Sequence, residues 1–196
     1  MKKLILTTVA ALTIAANVSA QTGYDDTKHE VAIRYGIAPN SKWLNHVGVF
    51  SVAFGGCEYD NLNHTGSFSA EYFYHSKEKL GIGCVLAYGK NKGDFDYGLN
   101  DYGKIEASYY TFMPAVKFDY LRKENFGMYS KFALGVTMTS GTYKYNDGTT
   151  KDCTDYSLNF QASFIGIEAG SPYLRGFTEL GIGEQGVLSI GIRYKF

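Results

Sequence analysis

Apolar and polar residues alternate one for one along much of this chain. At the C-terminus Leu188, Ile190, Ile192, Tyr194 and Phe196 interleave with Ser189, Gly191, Arg193 and Lys195. Near residue 132 the pattern sets Met128, Phe132, Leu134, Val136 and Met138 against Tyr129, Lys131, Ala133, Gly135 and Thr137. A period of two puts one set of side chains on each face of a strand. Eight such segments are predicted, at 29–38, 65–75, 80–89, 105–121, 126–139, 156–169, 175–183 and 186–196. The sixth slips, because continuing the parity of Leu158, Phe160 and Phe164 turns Glu168 to the apolar side. A bulge near Ile165–Ile167 would restore it.

The connections alternate in length. Ser76–Lys79, Arg122–Asn125 and Gly170–Leu174 are tight, whereas Pro39–His64, Lys90–Lys104 and Ser140–Asp155 are long and polar. An even number of up-and-down strands then collects the tight turns at one end and the long loops at the other. Glu184-Gln185 is a short connection at the loop end. In the first loop, Trp43, Leu44, Val47, Phe50 and Phe54 have amphipathic helical spacing, with Ser41 as a candidate cap.

Alternation alone does not say which face is inside. The polar face carries Glu30, Arg34, Glu71, Lys117, Asp119, Lys131, Glu179 and Arg193, separated by small residues such as Gly81, Gly83, Ala87, Ala115, Ala133, Gly135, Gly181 and Gly191. A water-facing surface would carry long hydrated side chains at most positions. A narrow lumen must instead mix large and small, and pair its charges. The expected fold is therefore an eight-stranded antiparallel up-and-down transmembrane β-barrel, apolar outside, with a charge ladder plugging it. Tyr24, Tyr59, Tyr88, Tyr102, Tyr109, Tyr173 and Tyr194 fall near strand ends, where aromatic girdles sit.

The N-terminus fits this reading. Lys2 and Lys3 precede an apolar run from Leu4 to Ala16 and small residues at Val18-Ser19-Ala20, the plan of a signal peptide over residues 1–20. The expected barrel domain is 21–196, with 17 basic and 19 acidic side chains. No basic excess points to nucleic acid. Three cysteines are too few for a disulfide-stapled scaffold. Cys57 and Cys153 lie in predicted loops, where either a bridge or free thiols fit, and Cys84 lies in a strand.

The terminal Gly-Ile-Arg-Tyr-Lys-Phe, with Ile190, Ile192, Tyr194 and Phe196 at alternate positions, resembles the C-terminal assembly signal of outer-membrane barrels. The whole chain after the signal is similar to the small OmpA/OmpX-like outer membrane protein β-barrel domain family. That resemblance implies an outer-membrane location and recognition of the last strand by the barrel assembly machinery.

Candidate chemistry is sparse. Gly181-Ile-Gly183-Glu184-Gln185-Gly186 matches a dinucleotide fingerprint by letter, but a strand follows where a helix N-terminus is needed. Asp94, Asp96, Gly98 and Asp101 form half of a calcium loop, with Ile105 where the final acid belongs. His75-Ser76 resembles pairs in lipid-modifying barrel enzymes but lies beside a tight turn, and His46, His64 and Cys57 lack metal-ligand spacing. No catalytic residue, cofactor site or metal ligand is assigned. The function expected is structural and surface-interacting: a monomer in outer-membrane lipid whose loops meet an unidentified partner. A narrow porin-like channel for ions or very small solutes is the alternative, and an outer-leaflet lipid-modifying enzyme the outsider.

Overall fold

The computed structural model describes residues 27–39, 63–98, 101–144 and 149–196, without the side chains of 63–65, 93–98, 101–103 and 105. The strands are β1 (His29–Ile37), β2 (Asn63–Lys77), β3 (Leu80–Gly98), β4 (Asp101–Arg122), β5 (Phe126–Lys144), β6 (Thr150–Gly170), β7 (Leu174–Gly183) and β8 (Leu188–Lys195). Each pairs antiparallel with its sequence neighbours, and β1 pairs with β8 to close the barrel. Closure removes sheet edges, the condition for a β-structure to cross a bilayer.

The period-two pattern decides what each face meets. On β7 exposed and buried residues alternate, with Leu174 and Leu180 outside and Arg175, Phe177 and Glu179 inside. On β4 the outward row runs Tyr110, Phe112, Pro114, Val116, Phe118, Tyr120. Ten rises of ~3.3 Å, inclined by ~40°, give a band ~25 Å tall, the height of a bilayer's apolar zone. Exposed side chains therefore include Ile33, Phe68, Leu86, Phe132, Leu158, Ile190 and Ile192, while the interior holds charged ones such as Arg34, Glu71, Lys131 and Glu179. The apolar face looks outward.

Turns of two or three residues join β2–β3, β4–β5 and β6–β7 at the end that also holds residue 196. At the other end the structure departs from expectation. The segments predicted as loops at 90–104 and 140–155 are mostly strand, with β3 and β4 paired out to Gly98↔Asp101 and β5 and β6 to Lys144↔Thr150. The alternation that marks a strand fades there because both faces have become polar. Strands β3 to β6 are 19 to 22 residues long, but β7, β8 and β1 only 10, 8 and 9. The barrel is thus tall on one side and low on the other.

The slip in β6 is a bulge. Its register shifts between Ser163 and Ile165 against β7, where Phe164 and Ile165 both face outward and Glu168 returns to the interior. Tyr109, expected in the girdle, instead points inward and is buried, and its neighbour Tyr110 takes the outer position. The ring of Tyr110 packs 5.2 Å from that of Tyr88. The segment with helical spacing, and Tyr24, His46, Cys57 and Tyr59, lie outside the described residues.

Candidate functional site

The lumen is the site that strand parity builds. Every charged residue expected on the polar face is buried inside: Glu30, Arg34, Glu71, Lys117, Asp119, Lys131, Glu179 and Arg193. They come from β1, β2, β4, β5, β7 and β8, and ring closure brings them together. Glu71 meets Arg34 at 3.3 Å and Arg193 at 3.5 Å, and also pairs with Lys131. Glu179 meets Lys131 at 3.0 Å and also Arg34. Toward the turn end, Glu30 gathers Lys117 at 2.7 Å, Lys195 at 3.1 Å and Arg193 at 3.5 Å.

Several members of this network were not on the expected ladder. Glu168 pairs with Arg193, with Lys195 at 2.5 Å and with Arg175 at 2.7 Å. The signal for Lys195 was present, since it shares the parity of Arg193. Glu168 needed the bulge. Among the inward-pointing aromatic side chains, Tyr129 and Phe177 lie against these cations. Tyr129 is flanked by the Lys117 ammonium and the Arg193 guanidinium at 4.3 and 4.7 Å from its ring centre, and Phe177 by Arg193 and Arg34 at 4.6 and 5.1 Å. Desolvated cations over ring faces are attracted by the quadrupole, so these rings seal space that further charges would have to balance.

The turn end of the network is tied to backbone carbonyls, the loop end to side chains of an inserted turn. At the turn end Arg122 donates to the Thr27 carbonyl at 2.6 Å, and Arg175 to those of Lys123 and Glu124 at 2.9 and 2.7 Å. At the loop end the connection between β7 and β8 folds into the lumen. Gln185 donates to Ser69 at 3.0 Å and to Glu71 at 2.8 Å, and accepts from Arg34 at 3.1 Å. Above it lies a polar layer in which Thr111 and Thr137 oxygens are 2.7 Å apart and Asn159 bridges Thr137 and Glu184.

The chemistry this arrangement permits is limited. His75 is buried, 3.0 Å from Glu30 and 3.4 Å from Asp119, while Ser76 lies exposed on the opposite face of β2. The two cannot act as a pair. Gly181 to Gly186 close β7 and enter a turn, with left-handed backbone at Gly183 and Gly186, before β8 begins. No helix N-terminus follows for a pyrophosphate. Asp94 and Asp96 belong to β3 and Asp101 to β4 rather than to a loop. Cys84 is free and Cys153, on β6 rather than in a loop, is disulfide-bonded.

Outside the lumen, the tall wall carries a charged outer face. Beyond Tyr88 and Tyr110, Glu106 accepts Lys90 at 3.3 Å and Lys92 at 3.1 Å. These two hydrogen-bonded ammonium groups, Lys92 foremost, hold its carboxyl below the ordinary range.

No protein-family model matches the chain, and no curated protein matches it. Solved structures do. Ail, the attachment invasion locus protein of Yersinia pestis, in complex with the heparin analogue sucrose octasulfate, superposes with a TM-score of 0.50 at 16% identity, covering 87% of this chain and 99% of Ail. A second structure of Ail gives 0.49 at 15% identity with the same coverage. In architecture, this chain is an eight-stranded antiparallel closed barrel, the fold it shares with Ail.

Proposed function

We propose that this chain is an outer-membrane barrel whose role is structural and surface-interacting, carried by what it presents beyond the bilayer rather than by its lumen. The carrying observation is the filled cross-section. Arg34, Glu71, Lys131, Glu179 and Arg193 interlock from strands all around the ring, with Gln185 as a lid of side-chain amide above them. An eight-strand barrel has room for little more than its own side chains. Such a lumen is a keystone, and the solute route is closed.

In this reading the tight turns face the periplasm and the tall wall faces outward, following the asymmetry usual for such barrels. Residues 1–20 direct export, the strand ending at Ile190, Ile192, Tyr194 and Phe196 is what the assembly machinery takes up, and the chain is a monomer in lipid. The likeness to Ail supports the fold. The binding of a heparin analogue by that protein makes sulfated polysaccharide a reasonable first probe for the outer wall.

Planar-bilayer recording tests the closed lumen. Reconstituted protein should give no large stable conductance steps. Such steps would overturn the reading in favour of the narrow pore.

A further inference from the structure

Above the apolar band, the outer faces of β3 to β6 change character rung by rung. Tyr88, Tyr110, Met138 and Tyr156 are cross-strand partners in turn and form one outward rung. The next rung up sets Lys90 beside Ser108, Ser140 and Thr154, and the one after sets Lys92 beside Glu106, Thr142 and Asp152. Glu106 is shared by the Lys90 and Lys92 ammonium groups, so this corner carries one positive charge in excess. Asp152 stands two strands away from it and accepts from Thr142 at 2.8 Å. On the lipid side of the tyrosine rung lies an apolar groove of about 780 Å³, lined among others by Phe68, Leu86, Tyr88, Tyr110, Phe112 and Met138.

Height decides what fits a cationic rim over an apolar groove. A strand rise of ~3.3 Å inclined by ~40° puts Lys90 ~5 Å and Lys92 ~10 Å above Tyr88 on the same strand. The polar zone of one leaflet is ~5–8 Å deep, and a lysine stem bends to bring its ammonium into it. Lys104 stands ~15 Å above Tyr110 on β4, clear of that zone. Among the described side chains, no other strand has a lysine or arginine on its first two outward rungs above the band at this end.

We propose that this corner binds a lipid with an anionic phosphate headgroup, its chains in the groove and its phosphate accepting from Lys90, Lys92 and the Ser108 hydroxyl. Charge-assisted hydrogen bonds to phosphate are the strong ones, and basic pockets at bilayer height hold lipid headgroups. Glu106 sets the two ammonium groups side by side for a single phosphate. The inference rests on the membrane-barrel reading and names a partner for the base of its outer wall.

Native mass spectrometry of the protein in detergent micelles, offered equal amounts of phosphatidic acid and phosphatidylcholine, tests the site. The wild-type protein should retain phosphatidic acid about tenfold over phosphatidylcholine, the scale of one charge-assisted hydrogen bond. Lys90→Gln with Lys92→Gln should lose that preference. Lys104→Gln with Lys144→Gln, the same loss of charge higher on the wall, should keep it. Glycerol phosphate, which has the headgroup and no chains, should not displace the lipid. Equal retention of the two lipids by wild-type protein that shifts in gel mobility on boiling, the mark of a closed barrel, would overturn the site and leave the barrel reading intact. Absence of that shift would overturn the barrel reading itself. Loss of preference in the Lys104 and Lys144 variant, or displacement by glycerol phosphate, would overturn the lipid site in favour of a general attraction of the wall for anions.

Discussion

Gln185 and Glu71 lie 114 residues apart in sequence, yet the side-chain amide of the first donates to the carboxylate of the second at 2.8 Å. The contact exists because the turn between β7 and β8 drops into the lumen instead of rising into solvent. Gly36 makes room for it, since a Cβ at that position would lie 1.7 Å from the Gln185 carbonyl oxygen.

Gly36→Ala should therefore push the turn out and uncover the charge network. Forced overpacking of this kind costs ~1–3 kcal/mol. Urea unfolding in lipid vesicles should register that loss. Gly89→Ala, where a Cβ would meet its nearest neighbour at 3.6 Å, should stay within ~0.5 kcal/mol of wild type. Equal midpoints for the two variants would show that the turn has space to spare.

Lys131 sits between Glu71 and Glu179. Lys131→Met leaves both carboxylates short of a partner in a dry interior, and breaking a buried pair on one side costs ~3–5 kcal/mol. The double variant Lys131→Met with Glu179→Gln should recover part of that loss. Exposed Lys123→Met is the reference, expected within ~0.5 kcal/mol. A Lys131 variant no less stable than the Lys123 variant would remove the network from the account of stability.

How much of this was legible in the chain depends on where the bilayer stops. Within it, water and lipid impose opposite demands on the two faces, so Ile33, Phe132 and Ile192 announce their strands against Arg34, Lys131 and Arg193. Beyond it, both faces meet polar surroundings. The strands through Lys90–Gly98 and Ser140–Lys144 then look like loops. Tyr109 and Tyr110 illustrate the local ambiguity, because two adjacent tyrosines offer no pattern to say which one is inside. The descent of Gln185 into the lumen is a tertiary event with no sequence period behind it. Glu168 was readable only by accepting an interruption at Phe164–Ile165.

Cys153 is disulfide-bonded and Cys84 is free. With three cysteines in the chain, Cys57 is the partner expected for Cys153. Peptide mapping without reductant should recover the Cys57 and Cys153 peptides joined, and only Cys84 should react with a thiol reagent after denaturation. Alkylation of all three in unreduced protein would exclude the bridge.

The last residue closes the ring. His29 and Phe196 exchange both backbone hydrogen bonds at 2.9 Å, and their rings stack 5.3 Å apart. Deleting Phe196 should lower the amount of folded protein in the membrane more than it lowers export across the inner membrane. Fractionation measures both, and normal membrane levels of the truncated chain would contradict the assembly role of this strand.

Glu106 provides a pH readout on the outer wall. Its carboxyl is depressed by the Lys92 and then the Lys90 hydrogen bonds, so it should titrate below the ordinary value of ~4.3. A depressed acid stabilises the fold above its unfolded pKa, and that contribution disappears as pH falls through the folded one. Carboxyl-carbon titration by NMR should find the midpoint raised in both Lys92→Met and Lys90→Met. A midpoint unmoved by either substitution would remove that lysine as a cause of the depression.

The unequal strand lengths give the molecule a front and a back in the plane of the membrane. Among the described residues, one flank is a low sill formed by β7, β8 and β1. The other is a parapet of four strands, each about twice as long. Rotation of the barrel about its own axis therefore sweeps the presented surface around like a vane. Neighbours in a crowded membrane can then shield or reveal it without any change inside the protein.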